Sequence, residues 1–280
     1  MSHSQSVPGV LLMDNGSLEP AAILRLRGLA DELGGRLRRP VKPVSLLHSD
    51  RVPAGQLGGR AAETVEAALR RRLASGENDF VLLPLFIGPT RALSEFLPEI
   101  VHRVRGEFPA LKVRVAPSLH ADTDDRLVKI LAEQVTATLA GTGGEAGSFR
   151  VAVVDHGSPV RAVTEVRNQI AVQLARRLEG QVAAVAPCSM ERRPGADYDF
   201  NEPLLAHLLT TRHWNSGVVV VAHLFLLPGR HAGAGGDVAR ICREAENAAG
   251  GRLRTVRAGL LADHPLLLDI LHDRARSVGL

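Results

Sequence analysis

The sequence predicts an α/β protein made of two tandem domains, each with a small parallel four-stranded sheet flanked by helices. Three observations support this prediction. Short apolar runs alternate with longer amphipathic stretches in both halves of the 280-residue chain, which is the pattern expected of βα units. A glycine-rich segment separates the two halves. The halves also carry matching motifs at a nearly constant spacing, which indicates an internal repeat.

Each half contains four runs rich in Val, Leu and Ile, short enough to be strands of a buried parallel sheet. The predicted strands of the first half are residues 10–13, 44–47, 80–86 and 113–116. Those of the second half are residues 151–154, 182–186, 218–224 and 254–258. Helical stretches follow at corresponding places, for example at 61–73 and 124–139. Both halves therefore have the same predicted order of elements.

Residues 141–148, Gly-Thr-Gly-Gly-Glu-Ala-Gly-Ser, have the composition of a flexible linker. The sequence thus predicts a first domain at 8–140 and a second at 149–280, joined by this linker.

The internal repeat is visible in three motifs, of which the shortest is Ala-Asp at 121–122 and again 141 positions later at 262–263. Asp-Asn-Gly-Ser at 14–17 corresponds to Asp-His-Gly-Ser at 155–158, which lies 141 positions later. Leu-Phe followed by Pro and Arg at 85–91 corresponds to the same residues at 224–230, which lie 139 positions later. Because each motif follows a predicted strand, the agreement indicates a duplicated domain.

Composition excludes several classes of protein. Hydrophobic residues make up 45% and charged residues 23% of the chain, as in soluble globular proteins. The longest apolar stretch, 218–227, is shorter than the roughly 20 residues of a transmembrane helix. The first nine residues lack a basic segment followed by an apolar one, so we expect no secretory signal and a cytoplasmic protein. Cys188 and Cys242 form no C-x-x-C pair, so this chain alone builds neither a zinc knuckle nor a four-cysteine cluster.

The charge is basic, with a net value of +4. Seven Phe, one Trp and one Tyr are too few for a base-stacking surface, so nucleic-acid binding is not expected. The positive charge is almost entirely arginine, since the lysines are Lys42, Lys112 and Lys129. Arginine favours bidentate binding of carboxylates or phosphates, although codon bias explains the same composition.

The two copies differ at two strand ends. Asn15 and Ala92 in the first copy correspond to His156 and His231 in the second. Residues just beyond the carboxyl ends of parallel strands face the crevice in which open α/β sheets bind ligands. Two histidines there are suited to hold a divalent first-row metal and to act as bases. The second half is therefore the candidate active half, whereas His223, inside a strand, is interpreted as a buried, hydrogen-bonded core residue.

The residues around these histidines resemble a known family. Asp-His-Gly-Ser at 155–158 and Leu-Phe-Leu-Leu-Pro-Gly-Arg-His-Ala-Gly at 224–233 closely resemble the sirohydrochlorin chelatases of the CbiX type. Pro-Leu-Phe at 84–86 and Glu-Phe-Leu-Pro at 95–98 show the same resemblance in the first half. The resemblance implies a pseudo-twofold tandem pair of chelatase-like domains, in which the first copy is degenerate.

The resemblance also implies an activity: a lyase that inserts cobalt or ferrous iron into a sirohydrochlorin-type tetrapyrrole, for cobalamin or siroheme biosynthesis. The divalent metal is a substrate, and no organic cofactor is implied. The family histidines correspond to His156 and His231, which would be catalytic and bind the metal. Glu191 lies nearest to the family's acidic residue, with Asp50 opposite it in the first copy. A solvated surface carboxylate is an equally good interpretation of Glu191.

Other residues near the two histidines are candidates for binding the tetrapyrrole. Gly157 and Gly229 would let the backbone approach a ligand, and Ser158 either binds or caps the following helix. Arginines near the site would bind the many carboxylates of the tetrapyrrole, or would be ordinary surface charge. These are Arg230, Arg192, Arg193 and Arg161. A monomer, with the first copy as the other half of a pseudo-dimer, is expected.

Two alternatives remain at this point. One is a carrier that binds a metal or tetrapyrrole without catalysis, since the same pocket would serve either role. The other is a hydrolase that uses Ser158 beside His156. The second is weaker, because adjacent residues rarely form a nucleophile and base pair and the chain has no G-x-S-x-G motif.

Overall fold

The computed structural model describes residues 7–143 and 147–280, so part of the predicted linker, residues 144–146, lies outside the described residues. The first repeat contains β1 (Gly9–Asp14), α1 (Pro20–Leu37), β2 (Val41–Ser45), α2 (Val65–Ala74), β3 (Asp79–Pro84), α3 (Leu97–Glu107), β4 (Lys112–Val115) and α4 (Arg126–Ala140). The second contains β5 (Arg150–Asp155), α5 (Arg161–Arg177), β6 (Ala184–Ser189), α6 (Leu205–Leu208), β7 (Gly217–His223), α7 (Asp237–Ala248), β8 (Leu253–Arg257) and α8 (Leu266–Arg276).

Each repeat forms one parallel four-stranded sheet, which confirms the predicted fold class. The strand orders are β2-β1-β3-β4 and β6-β5-β7-β8, and every pairing is parallel. All six residues of β1 are buried, as are all but the first of β5. Because helices cover both faces of such a sheet, its central strands are apolar throughout, and the sequence showed these runs clearly.

The edge strands β2 and β6 differ most from their predicted bounds. β2 begins at Val41, three residues before the predicted strand, and β6 ends at Ser189, three residues after it. Each contains a proline, Pro43 or Pro187, which interrupts the apolar pattern. Proline lacks the N–H that an interior position of a central strand must donate, so inside a strand it is tolerated mainly at the edge of a sheet.

The described chain divides into two compact units that do not coincide with the predicted domains 8–140 and 149–280. One unit comprises described residues up to Leu119 together with 268–280, and the other comprises described residues of 120–267. Helix α4 thus belongs with the second sheet, where it contacts β7 and α5. Gln134 Nε2 in α4 donates to Leu260 O at 2.7 Å. The sequence repeat places α4 in the first copy, but its packing places it in the second unit.

Most of α8 belongs with the first unit in the same way. Arg274 donates to the backbone carbonyls of Ser118 and Leu119 at 2.9 and 2.7 Å. The last helix of each repeat is therefore assigned to the compact unit of the other repeat. Periodicity identifies a helix but not the sheet against which it packs, so the exchange was not predictable from the pattern.

Both cysteines lie in the core of the second unit. Cys188 and Cys242 are free and buried among apolar side chains. Burial raises the pKa of both thiols, because it disfavours the thiolate form. They therefore act as small apolar residues and not as metal ligands. None of the helices in the described residues has the length and apolar character needed to cross a bilayer.

A buried carboxyl at the end of β1 makes the first unit sensitive to pH. Burial raises the pKa of Asp14 to about 6, against hydrogen bonds from Ser45 and from the backbone that lower it. A raised pKa means that the folded state binds the proton more tightly. The protonated carboxyl of Asp14 therefore contributes fully to stability below about pH 4, the ordinary aspartate pKa, and this contribution is lost as the pH rises through 6.

We expect Asp14→Asn to remove this dependence. The wild type should lose about 3 kcal/mol of unfolding free energy between pH 4 and pH 7 as Asp14 ionises, and the variant should not lose it, because an amide does not ionise. Urea denaturation of both proteins across this range measures the difference. Parallel pH profiles for the two proteins would contradict the assignment. Asp79→Asn, which alters a partly exposed carboxyl in the same sheet, is the control.

Candidate active site

Three loops at the carboxyl end of the second sheet bring the predicted site residues together. His156 directly follows β5, Glu191 follows β6 by two residues, and His231 lies in the segment after β7. The imidazole rings of His156 and His231 are 4.6 Å apart between centroids and meet edge to face. Glu191 Oε1 lies 3.3 Å from His156 Nε2. Two imidazoles and one carboxylate thus share one site, because neighbouring parallel strands end at the same edge of the sheet.

Gly157 fixes the relative position of His156 and Glu191. Its φ is +93°, and a Cβ at this residue would lie 1.8 Å from the carbonyl oxygen of Glu191. Glu191 N also donates to His156 O at 3.1 Å. The loops after β5 and β6 are therefore in direct backbone contact, which only glycine permits here.

Ser158 lies three residues before helix α5 and does not cap it, since the N-cap position is Val160. Its Oγ accepts a hydrogen bond from Val160 N at 3.0 Å, and its own N–H donates to Asn201 Oδ1 at 2.9 Å. His156 Nδ1 instead donates to Gly157 O at 3.0 Å, and its Nε2 faces Glu191. Both ring nitrogens of His156 thus have other partners, and this geometry does not support the alternative of a Ser158 nucleophile activated by His156. Binding of substrate by Ser158 stays a prediction.

Asn201 is a supporting residue that sequence reasoning missed. It is fully buried, at the end of the 3-10 turn Ala196–Asn201. Its Nδ2 donates to the carbonyl oxygens of Ser158 and Tyr198, at 2.9 and 3.0 Å. Asn201 therefore ties the loop after β5 to the loop after β6. No local pattern marks this role, because its partner lies 43 residues earlier in the chain.

A buried polar network lies directly beneath the loop after β5, which carries His156. Asp155 Oδ1 accepts from Ser189 Oγ at 2.7 Å and from Gly157 N at 3.1 Å. Arg167 Nη1 lies 3.5 Å from the same oxygen and also donates to the backbone oxygen of Asn201. Burial raises the pKa of Asp155, and the charge of Arg167 opposes this shift. The network holds the ends of β5 and β6 in register below the site.

His231 is held from the other side by the start of helix α7. A Cβ at Gly236 would lie 2.5 to 2.6 Å from the carbonyl oxygens of Arg230 and His231, so the turn between them requires a glycine. His231 Nδ1 lies 2.8 Å from Asp237 Oδ2. This hydrogen bond lowers the pKa of Asp237. Asp237 was not identified from the sequence, although an acid at a helix start six residues after a candidate histidine is a usable signal.

A cleft of about 340 Å³ opens beside His231. It is lined by Met190, Glu191, Arg230, His231, Asp237, Arg240 and Ile241. Gly229, which precedes Arg230 in the chain, lies in a tight turn, where its carbonyl oxygen accepts from Gly233 N at 2.9 Å. Three predicted site residues, Glu191, Arg230 and His231, thus face a space large enough to admit part of a ligand.

The four candidate arginines have different surroundings. Arg230 lines the cleft, and its side chain is 79% exposed. Arg192 forms ion pairs with Asp199 and Glu202 in its own loop, which occupies its guanidinium. Arg161 lies over the ring of Phe200 at 4.6 Å, and Arg193 lies over that of Tyr198 at 5.9 Å. Of these four, Arg230 is the one best placed to meet a carboxylate in the cleft.

His223 differs from the two site histidines. It is buried at the end of β7, and its Nδ1 donates to Ala258 O at 3.1 Å. Burial lowers its pKa to about 4, so it is neutral at physiological pH. The structure agrees with its interpretation as a hydrogen-bonded core residue.

The first unit shows which residues replace the site, and it corrects the proposed partner of Glu191. Leu47 N donates to Asn15 O at 3.1 Å, as Glu191 N does to His156 O. A Cβ at Gly16 would meet Leu47 O at 1.7 Å, which matches the contact at Gly157. The structural counterpart of Glu191 is therefore Leu47. The assignment of Asp50 was wrong, since Asp50 lies in the following 3-10 turn.

Thus all three positions have changed in the first repeat, where Asn15, Leu47 and Ala92 stand in place of His156, Glu191 and His231. Across residues 7–143 and 147–280 there is no group of three or more His, Cys, Asp or Glu side chains arranged to enclose a metal ion. The site of the second repeat therefore offers a pair of imidazoles beside a carboxylate and not a closed cage.

The fold and the site define an α/β protein with two chelatase-like sheets and a two-histidine site at the strand ends of the second. Residues 9–138 match the CbiX family model. This part of the chain, 130 of its 280 residues, is therefore similar to the CbiX family, which is the resemblance that the sequence motifs predicted. The match falls on the repeat that lacks the histidines. No curated protein sequence matches the chain.

Several solved structures share this fold over nearly the whole chain. SirB from Bacillus subtilis with Fe³⁺ has a TM-score of 0.66 at 15% identity, covering 97% of this chain and 95% of that one. The sirohydrochlorin chelatase SirB from Bacillus subtilis subspecies spizizenii in complex with cobalt has a TM-score of 0.67 at 15% identity, covering 97% and 94%. CbiX, described as the terminal enzyme for biosynthesis of siroheme in denitrifying bacteria, has a TM-score of 0.59 at 16% identity, covering 96% and 98%. These similarities show the fold.

Proposed function

We propose that this protein is a sirohydrochlorin chelatase, a lyase that inserts cobalt or ferrous iron into a sirohydrochlorin-type tetrapyrrole. The observation that carries the proposal is the pairing of His156 and His231, 4.6 Å apart between ring centroids, beside Glu191. The CbiX match and the similarity in fold to SirB and CbiX support it. The chemistry resides in the second repeat, because the first has Asn15, Leu47 and Ala92 at the same places.

Metallation replaces two pyrrole N–H protons by one divalent ion, so the reaction releases two protons. His156 and His231 hold the incoming ion on one side through neutral imidazole nitrogens. Glu191, 3.3 Å from His156 Nε2, accepts the two pyrrole protons one after the other as general base and passes each to solvent, since its side chain is 61% exposed. Few protein ligands are an advantage here, since the ion must leave them for the macrocycle. Imidazole and carboxylate ligands suit both cobalt and ferrous iron, so the product serves cobalamin or siroheme synthesis.

The exposed guanidinium of Arg230 orients the tetrapyrrole by charge-assisted hydrogen bonds to its carboxylates. Gly157 contributes by allowing the close contact between the loops that carry His156 and Glu191, and Gly229 leaves the backbone before Arg230 without a side chain. The monomeric state and the cytoplasmic location stay predictions from the sequence, and light scattering of the purified chain tests the first.

Replacement of Glu191 by glutamine separates a catalytic role from that of a surface carboxylate. We expect the insertion rate to fall roughly 100-fold, the lower end of the range for losing a general base. The affinity for tetrapyrrole should change little, because Glu191 is 61% exposed and acts on the proton. Initial rates as a function of tetrapyrrole concentration measure both effects. Glu165→Gln, which alters an exposed carboxylate of α5, is the control. Equal rates for both variants would assign Glu191 to the surface.

The alternative of a carrier protein predicts binding without acceleration. Incubation of the chain with tetrapyrrole and Co²⁺ or Fe²⁺ under anaerobic conditions, followed by absorption spectroscopy, distinguishes the two. A chelatase forms the metallated product faster than the same mixture without protein. Tight binding with an unchanged rate of insertion would favour the carrier.

A further inference from the structure

Asp237 is in contact with the candidate metal-binding histidine and lines the same cleft. It is the first residue of α7, and its Oδ2 lies 2.8 Å from His231 Nδ1. The glycine turn at Gly236 fixes the approach of the two residues, since a side chain there would collide with the backbone of His231. In addition, Val238 N donates to His231 O at 3.1 Å. The backbone and the side chain of His231 are therefore both held by the start of this helix.

The hydrogen bond between the His231 ring and Asp237 determines which nitrogen of that ring carries the proton. An ionised carboxylate only accepts, so Nδ1 of a neutral His231 must be the donor and Nε2 keeps its lone pair. The same holds for His156, whose Nδ1 donates to the carbonyl oxygen of Gly157. Both histidines are thus arranged to present Nε2. His231 depends for this on a side chain, whereas His156 depends on the backbone.

We infer that Asp237 is a positioning residue that holds His231 in the Nδ1–H tautomer and orients its Nε2 toward the substrate metal ion. Carboxylates that fix the far nitrogen of a histidine ligand have this effect in metal sites generally. The first repeat agrees with the inference. There Ala92 replaces the histidine, and Pro98 stands 139 positions before Asp237, so the carboxylate is missing together with the histidine.

The inference rests on the proposed function for the identity of the metal ion, but the effect of Asp237 on the tautomer of His231 is testable without turnover. The first measurement is ¹⁵N NMR of the metal-free chain, labelled at histidine, at a pH where imidazole is neutral. We expect His231 of the wild type to be protonated at Nδ1. In Asp237→Ala the fixed donor bond is lost, and the Nε2–H tautomer should become populated. Asp237→Asn keeps an accepting amide oxygen and should largely preserve the wild-type tautomer.

The second measurement is titration of the same proteins with Co²⁺, followed by visible absorption. Asp237→Ala should weaken cobalt binding roughly 10- to 100-fold, and Asp237→Asn should weaken it less. Asp237 Oδ2 also lies 3.8 Å from Arg230 Nε, so the tautomer and the cobalt affinity are the deciding measurements, and kcat should fall with them. Glu244→Ala removes an exposed carboxylate of the same helix that does not line the cleft, and should leave the tautomer and affinity unchanged.

An unchanged tautomer and unchanged cobalt affinity in a folded Asp237→Ala protein would overturn the inference. If Asp237→Ala does not fold, Asp237→Asn decides the matter: a loss of the Nδ1–H tautomer, although the amide oxygen is present, would also overturn it. A wild-type chain that fails to insert metal would contradict the proposed function alone, because the NMR result would still decide whether Asp237 sets the tautomer.

Discussion

Replacement of His156 or His231 by alanine is expected to lower the rate of metal insertion by about 1000-fold, within the range for loss of acid–base or metal-binding groups. Each variant leaves one imidazole, and a single nitrogen cannot hold the ion in the geometry that the pair provides. Stability should change by less than about 0.5 kcal/mol, since both side chains are partly exposed. Initial rates with Co²⁺ and thermal melting of the same samples measure the two effects.

His272→Ala is a suitable control for these variants. The side chain of His272 in α8 is 31% exposed, as is that of His231, and its nearby acid is its neighbour Asp273. We expect this variant to insert metal at the wild-type rate. Full activity of both His156→Ala and His231→Ala would exclude the site.

Replacement of Arg167 by methionine is expected to destabilise the protein by about 3 to 5 kcal/mol, because it leaves Asp155 buried without its charged partner. Arg167 is 1% exposed and contacts Asp155, Ser189 and Asn201. The pKa of Asp155, already raised by burial, should rise further without the arginine. The loss should therefore be smallest below about pH 4 and should increase as the pH rises toward neutrality.

Urea denaturation at pH 5 and pH 8 measures the loss of stability and whether it increases with pH. Arg177→Met is the matched control, since Arg177 lies at the end of the same helix and pairs with Asp125 at the surface. That exposed pair should contribute less than about 1 kcal/mol. A loss of equal size in both variants would show that the buried network beneath the histidines has no special role in stability.

The parts of the structure that the sequence predicted are those with a local signal. The central strands are continuous apolar runs because they are buried on both faces, and periodicity identifies them. The position of the site followed from the internal repeat, since His156 and His231 correspond in the first repeat to Asn15 and Ala92, which have different chemistry. Because the carboxyl ends of neighbouring parallel strands lie at the same edge of a sheet, the strand assignments alone predict that the two histidines meet.

The parts that the sequence did not predict depend on contacts between distant residues. Asn201 and Arg167 belong to a network that joins two loops, and no spacing identifies such partners. Leu47 is the counterpart of Glu191 because of two backbone contacts, and counting residues led to Asp50 instead. The exchange of α4 and α8 between compact units likewise depends on packing, which the helical pattern leaves open.

The most direct test of the central claim is the number of metal ions that one chain inserts when tetrapyrrole and Co²⁺ are both in large molar excess. A catalyst whose two histidines hold the ion only transiently should form many equivalents of cobalt product per chain, at a rate above that of the mixture without protein. Formation of one equivalent or less, or a rate equal to that of the mixture without protein, would contradict the account.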